Sequence, residues 1–133
     1  MLEASRDVEE LAYRVIGAAI EVHRHLGPGF LESAYEEAFA VELGLQRIGF
    51  RRQHQMDVRY KGRAVATNRL DLLIEDKLVV EIKAIESIAA VHVAQTLSYL
   101  SACGLELGLI INFNVPSMNE RGVRRVIRSI YPE

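Results

Sequence analysis

The sequence predicts an α/β fold in which helices flank a mixed central β-sheet. Apolar residues recur at helical spacing through the first third of the chain, and after Phe50 they follow the alternation that is typical of strands. Near the carboxyl end, the apolar run LELGLIINF at 105–113 has the composition of a strand buried on both faces. Helices before and after a group of strands indicate an α/β domain. We expect one such domain over residues 1–133.

Three helices are predicted from the spacing of apolar residues. The first spans 5–26, with Ser5 as the expected cap and a Gly-Pro-Gly sequence that ends it. The second runs from about 30 to 48 and is followed by a glycine stop. The third covers 87–102, with Ser87 as the expected cap.

Strands are predicted in the middle of the chain and near its end. Residues 50–60 and 63–66 read as a hairpin around a Lys-Gly turn, and 70–74 with 77–85 read as a second hairpin around an acidic turn. The segment GVRRVIRSIY at 122–131 has helical spacing of its apolar residues but a high β-branched content. We interpret it as a strand because β-branched residues favour strands.

Composition narrows the class of protein. Half of the 133 residues are apolar and 26% are charged, which is ordinary for a globular chain and argues against disorder. A net charge of −2 argues against a polycation that coats nucleic acid, although the arginines cluster locally. The single cysteine, Cys103, excludes a disulfide framework within the chain and fits a reducing compartment. Without a signal peptide or a membrane-spanning run, we expect a cytoplasmic protein with no membrane partner.

The segment RLDLLIEDKLVVEIKA at 69–84 places charged residues inside an apolar hairpin. If the turn centres on Asp76, then Asp71 lies opposite Glu81, and Lys83 shares the Glu81 face. Two facing carboxylates repel each other, more strongly when they are partly buried. A divalent cation, neutralisation by Lys83, or a raised pKa that keeps one acid protonated would each compensate. The spacing is also compatible with a solvated Lys–Glu pair.

Two predicted helices carry polar residues that could form a site together with the charged residues of this hairpin. Gly29, Glu32 and Tyr35 have the spacing G-x-x-E-x-x-Y, which places Glu32 and Tyr35 on one helix face. The helix dipole alone also accounts for Glu32 in a first turn. Gln95 and Tyr99 lie four apart on the third helix, where a hydrogen-bonded core glutamine and a packed tyrosine are the alternative. The next acids on the second helix are interpreted as solvated: Glu36 and Glu37.

Four segments in this order resemble the GxxExxY protein family, which belongs to the PD-(D/E)xK nuclease superfamily. They are GFLESAY at 29–35, the charged hairpin at 69–84, QTLSYL at 95–100 and GLIINF at 108–113. The resemblance covers nearly the whole chain and implies a restriction-endonuclease-like fold, with a mixed central sheet and a helix on each side. One departure is Leu70, which stands where the superfamily name has proline.

The resemblance implies a metal-dependent nuclease that hydrolyses phosphodiester bonds, with DNA as the expected substrate. Asp71, Glu81 and the Ile82 carbonyl would hold Mg²⁺ or Mn²⁺. Lys83 would orient the attacking water or help to deprotonate it. Glu32 would hold a second metal ion directly or through water.

The resemblance also implies supporting residues on the helices. Gln95 and Tyr99 look like the Q-x-x-x-Y motif of RecB-like nucleases, in which Gln95 would position the phosphate or a metal-bound water. Tyr35 would support Glu32. The expected contacts to the nucleic-acid backbone are arginines: Arg69, Arg121, Arg124 and Arg125.

A non-catalytic module is the alternative reading. The near-neutral charge and small size favour a nuclease fold that only binds nucleic acid or protein, because no separate recognition domain is evident. The full set of acids, lysine and glutamine favours the enzyme. We also expect that so small a domain with apolar helices forms a homodimer to extend its substrate surface.

Overall fold

The computed structural model describes residues 3–118 and 121–129. Helices α1 and α2 precede three strands, and α3 separates these from the last two strands. The bounds are Arg6–Leu26 for α1, Glu32–Leu45 for α2, Phe50–Tyr60 for β1, Arg63–Ile74 for β2, Leu78–Lys83 for β3, Ala90–Cys103 for α3, Leu107–Asn112 for β4 and Val123–Ile127 for β5.

The five strands form one mixed sheet in the order β1-β2-β3-β4-β5. The β3 and β4 strands are parallel, with α3 as the crossover, and the other neighbouring pairs are antiparallel. This confirms the predicted α/β fold with a mixed central sheet. The tail segment is a strand, as its β-branched content predicted, at least over Val123–Ile127.

Helices cover both faces of the sheet. On one face, α1 and α2 pack against Leu72, Val80 and Ile82. On the other face, Tyr99 and further residues of α3 pack against Val79 and its neighbours. Every residue of β4 is buried, which confirms that its apolar run marks a strand covered on both sides. Within the described residues, no helix is both long enough and apolar enough to cross a membrane.

The predicted strands 63–66 and 70–74 are one continuous strand, β2. The reason is that β1 pairs with β2 along almost its whole length, from Phe50 opposite Ile74 to Tyr60 opposite Arg63. A ladder of backbone hydrogen bonds keeps the polar middle of β2 extended, although its side chains gave no strand pattern.

The third helix begins at Ala90, so the prediction of Ser87 as its cap is wrong. The side chain of Asn112 accepts a hydrogen bond from the Ile85 N–H at 3.1 Å and donates one to the Ile85 carbonyl at 2.9 Å. These bonds hold the chain after β3 in a loop, and α3 starts only beyond it. Asn112 is 1% exposed, so this attachment is part of the core.

The other predicted helix ends also differ in detail. Ser5 occupies the cap position of α1, but its hydroxyl donates to Glu106 at 2.8 Å and makes no capping bond to the helix backbone. Helix α2 ends at Leu45, before the predicted limit at 48, because Arg47 adopts a left-handed φ of 58°.

Tyr35 fixes the connection between α1 and α2. Its hydroxyl donates to the Gly27 carbonyl at 2.6 Å and accepts from the Phe30 N–H at 3.2 Å. Its buried ring stacks on Phe113, with centroids 4.6 Å apart and planes 7° from parallel. Tyr35 therefore positions the first turn of α2, and with it Glu32.

We predict that Tyr35→Phe lowers the free energy of unfolding by about 1–3 kcal/mol, because the change removes two part-buried hydrogen bonds, one to the Gly27 carbonyl and one from the Phe30 N–H. The measurement is urea unfolding followed by circular dichroism. Tyr13→Phe is the matched control, since Tyr13 is 82% exposed and its change should stay within about 0.5 kcal/mol. Equal effects of the two substitutions would contradict this role for Tyr35.

Candidate active site

The hairpin of β2 and β3 has the predicted register. Leu72 lies opposite Val80 and Leu73 opposite Val79, so the turn is centred on Asp76. The backbone ladder between the two strands ends at Leu72 and Val80. Beyond this pair the strands separate into a fork.

Side chains replace the ladder at the fork, which we define as Asp71, Glu81 and Ile82. The Asp71 N–H donates to Glu81 Oε2 at 2.7 Å, and the Ile82 N–H donates to Asp71 Oδ2 at 2.8 Å. Each carboxylate is therefore held by the backbone of the opposite strand. These two bonds bring the carboxyl groups together at the point where the sheet opens.

The Asp71 N–H turns toward β3 because the pairing of β1 with β2 is interrupted at Asp71. Gln53, which faces Asp71 in register, is not paired with it and has a left-handed φ of 50°. Leu70 and Leu73 lie in the same apolar layer, although they are three residues apart. Side-chain alternation is therefore interrupted at Asp71, as at a β-bulge, and its N–H is available for Glu81.

Burial and like charge make Glu81 hard to ionise. The side chain is almost fully buried, and this burial, followed by the negative charge of Asp71, raises the pKa of Glu81 to about 8. The positive charge of Lys83 acts in the opposite direction. Of the three compensations expected from the sequence, the described residues therefore supply a raised pKa and the lysine charge, together with the hydrogen bonds at the fork.

Tyr99 lies close enough to Asp71 and Glu81 for their charges to affect the pKa of its phenol. Burial, and then the charges of Glu81 and Asp71, raise the pKa of its phenol. Gln95, one turn earlier on α3, is exposed. Among the described residues, Gln95 makes no hydrogen bond to Asp71 or Glu81.

The Ile82 carbonyl also points into the fork. The next carbonyl, that of Lys83, accepts from the Phe113 N–H at 2.9 Å on the β4 side. Because successive carbonyls of a strand point to opposite edges, the Ile82 carbonyl faces β2, where the ladder has already ended.

This donor set suits a hard divalent cation. Mg²⁺ is commonly bound through one or two carboxylates while it keeps several waters. Asp71, Glu81 and the Ile82 carbonyl offer oxygen ligands alone, and a cation between the carboxyl groups would relieve their repulsion. Over residues 3–118 and 121–129, no group of three or more His, Cys, Asp or Glu side chains is close enough to hold a metal ion. Among the described residues, the two carboxylates that meet at the fork are those of Asp71 and Glu81, and Glu32 does not form a group of three with them.

Glu32 and Asp71 line the same cleft. The cleft has a volume of about 330 Å³ and lies between α2 and the fork. Glu32 is exposed at the first position of α2. The residues around the cleft are Glu32, Ser33, Glu36, Glu37, Arg52, Gln53, Asp71 and Ile82.

Arg52 ties α2 to the sheet beside this cleft. Its guanidinium donates to Glu36 at 2.8 Å and to Glu37 at 2.7 Å, and Gln53 donates to Glu36 at 2.9 Å. The interpretation of Glu36 as a solvated acid is therefore wrong, since its side chain is only 14% exposed, whereas Glu37 is exposed as predicted although it also bonds Arg52. The sequence offered no signal for these contacts, because Arg52 lies in a run of polar strand residues and its partners belong to another element.

The arginines expected to contact nucleic acid have different surroundings. Arg125 forms two bonds of 2.8 Å with Glu9, which tie β5 to α1 and occupy its guanidinium. Arg121 and Arg124 are exposed beside a cleft of about 450 Å³ next to the loop after β3. Arg69 is exposed on β2, two residues before Asp71.

A family model of the PD-(D/E)XK nuclease superfamily matches residues 9–126. The chain belongs to the PD-(D/E)XK nuclease superfamily. This confirms the superfamily inferred from the sequence segments, and the mixed five-stranded sheet is consistent with its restriction-endonuclease-like fold. Membership of the GxxExxY family within the superfamily stays a prediction.

No curated protein matches the sequence. A solved structure described as the crystal structure of SSO0001 matches with a TM-score of 0.49 and 13% sequence identity. The match covers 88% of this chain, and this chain spans 65% of that one.

We predict that Glu81 makes the stability of the metal-free PD-(D/E)XK domain depend on pH. Its pKa of about 8 in the folded chain lies above the ordinary value of 4.5, so the folded chain binds the proton more strongly. The stabilisation is fully present below about pH 4.5 and is lost as the pH rises through about 8. Glu81→Gln should remove this dependence and be more stable than wild type above pH 8, on the order of 3–5 kcal/mol.

The measurement is chemical unfolding in EDTA at a series of pH values. Glu86→Gln is the control, because Glu86 is exposed in the loop after β3 and its removal should leave the pH dependence as in wild type. Parallel curves for wild type and Glu81→Gln would contradict the assignment.

Proposed function

We propose that this domain is a metal-dependent nuclease that hydrolyses phosphodiester bonds of nucleic acid, with DNA as the expected substrate. The observation that supports this most is the fork, where two carboxylates and one carbonyl meet at the separation of β2 and β3. Paired acids that cost stability in the folded chain are typical of functional sites. Superfamily membership supports the same reaction class.

In this proposal Asp71, Glu81 and the Ile82 carbonyl hold Mg²⁺ or Mn²⁺. When bound, such an ion activates water and stabilises negative charge on the phosphoryl oxygens. The protein contributes geometry, because backbone hydrogen bonds already hold both carboxyl groups in place. Deprotonation of Glu81 is the step that prepares the pair for the ion.

Lys83 supplies the positive charge of the site. It lies two residues after Glu81 on β3, so both side chains project from the same face of the strand. Its ammonium group would orient the attacking water and offset charge on the phosphate. In this proposal Tyr99 would pack beside the pair, and the exposed Gln95, one turn before Tyr99 on α3, would position the phosphate or a metal-bound water.

A non-catalytic nucleic-acid-binding module is the second candidate. The observation that favours it is the pKa of Glu81, which burial and then the charge of Asp71 raise to about 8, because a protonated carboxyl group is a poor metal ligand. Tight binding of nucleic acid without cleavage under any divalent ion would support it.

We predict metal-dependent cleavage of nucleic acid that needs Asp71, Glu81 and Lys83. Asp71→Asn, Glu81→Gln and Lys83→Met should each reduce the cleavage rate by at least about 100-fold, because each removes a ligand or the charge at the reacting phosphate. The assay follows single- and double-stranded DNA and RNA with Mg²⁺ or Mn²⁺.

Controls for this assay come from exposed positions. Glu86→Gln and Lys77→Met change the same residue types away from the fork and should retain the wild-type rate. Circular dichroism would verify that all variants are folded. Cleavage that survives both Glu81→Gln and Lys83→Met would exclude the mechanism.

We predict that Glu32 helps to bind the metal ion and does not contact the attacking water. We expect Glu32→Gln to raise the metal concentration needed for half-maximal cleavage by about 10–100-fold, with a smaller change in the rate at saturating metal. Glu10→Gln, on the exposed face of α1, is the control. An unchanged metal requirement would remove Glu32 from the site.

A further inference from the structure

A two-stranded ribbon extends from the sheet beside the fork. The β2 strand pairs with β3 only at Leu72, Leu73 and Ile74, whereas its pairing with β1 continues to Arg63. We define the ribbon as residues 55–69. Nearly all of its residues are exposed, so it stands out from the main sheet.

The ribbon carries positive charge in a chain that is negative overall. It contains four basic residues and one acid, Asp57, which gives a formal charge of +3, while the whole chain has −2. Asp57 lies 3.6 Å from Arg59 and so offsets only part of this charge. The basic residues are Arg59, Lys61, Arg63 and Arg69.

A groove lies between the ribbon and α3. Its volume is about 550 Å³. Met56 and Asn68 line it from the ribbon, and Ser101 and Tyr99 line it from α3. Asn68 precedes Asp71 by three residues on β2, and Tyr99 packs in the same apolar layer as Leu70, so one end of the groove lies beside the fork.

The lining suits a nucleic-acid strand. Met56, Val58 and Ala102 provide apolar surface for sugars and bases, while Asn68 and Ser101 offer hydrogen bonds. At the tip, the exposed Tyr60 ring lies 5.4 Å from the Lys61 ammonium. The lining itself contains one base and one acid, Arg59 and Asp57, so the excess positive charge lies on the ribbon outside the lining. Basic surfaces with aromatic side chains are typical of sites that bind single strands.

The opposite approach to the fork is unfavourable for phosphate. The cleft on the α2 side is lined by Glu32, Glu36 and Glu37, and Arg52 is already bonded to two of these acids. A polyanion is repelled there and attracted on the ribbon side.

We propose that the groove between the ribbon and α3 holds one strand of the nucleic acid, and that Lys61 and Arg63, at the ribbon tip beyond the groove lining, bind phosphates of that strand while a phosphodiester lies at the fork. This rests on the proposed nuclease function. The ligand chemistry is a sugar–phosphate backbone, which a single strand or one strand of a duplex presents.

The first test measures binding of a fluorescent oligonucleotide, single-stranded or as a duplex, by anisotropy in EDTA at a series of salt concentrations. Lys61→Gln with Arg63→Gln should weaken binding and reduce the slope of log K against log [salt] by about 1.4 for a single strand or about 1.8 for a duplex, as expected for two lost phosphate contacts. Arg6→Gln with Arg24→Gln makes the same charge change on exposed positions of α1 and should leave the slope unchanged.

The second test changes the α3 wall of the groove. Ser101 is exposed, so both Ser101→Lys and Ser101→Glu are compatible with the fold. The lysine variant should bind the oligonucleotide more tightly than wild type and the glutamate variant more weakly. Equal shifts in one direction would indicate a structural effect of the substitution and overturn the groove assignment.

The outcomes separate this proposal from the proposed function. Binding that depends on the ribbon, without cleavage under Mg²⁺ or Mn²⁺, would support the groove and reject the nuclease. Cleavage that depends on Glu81, with the ribbon and control variants equal in binding, would support the nuclease and overturn the groove. Failure of wild type to bind either oligonucleotide would also overturn the groove.

Discussion

The structure depends on a pair of hydrogen bonds that cross the fork between β2 and β3. Asp71 and Glu81 each accept a bond from the backbone of the opposite strand, in place of the ladder that would otherwise continue. Burial and the charge of Asp71 oppose ionisation of Glu81, whereas the bond from the Asp71 N–H favours it. The result is a pair of acids held close together although one of them resists ionisation.

The rest of the fold holds this arrangement in place. The β3 strand is central and buried, with β4 parallel on its far side, so the Glu81 backbone cannot relax away from β2. Arg52 and Tyr35 attach α2 at two points and set where Glu32 opens onto the cleft. The positions of Asp71 and Glu81 are therefore established within the chain itself by hydrogen bonds and packing, which is the usual condition for an efficient site.

Charge is distributed unevenly around the fork. Acids line the α2 side and basic residues lie on the ribbon, although the chain as a whole has a small net charge. In the proposed function, the fork and the acids on the α2 side would bind the cation, and the ribbon would bind the polyanion. A weakly negative total charge is thus compatible with a site that acts on nucleic acid, because binding depends on local charge.

The sequence alone determined the mixed α/β fold, the buried β4 strand and the register of the acidic hairpin. These follow from the period of two in strands and from turn position, which are local properties of the chain. Only the tertiary structure decided that Asp71 turns out of its ladder, that Glu36 bonds Arg52 and that β2 continues into a ribbon. Each of these depends on burial or on contacts between elements distant in sequence, and hydrophobic periodicity carries no information about such contacts.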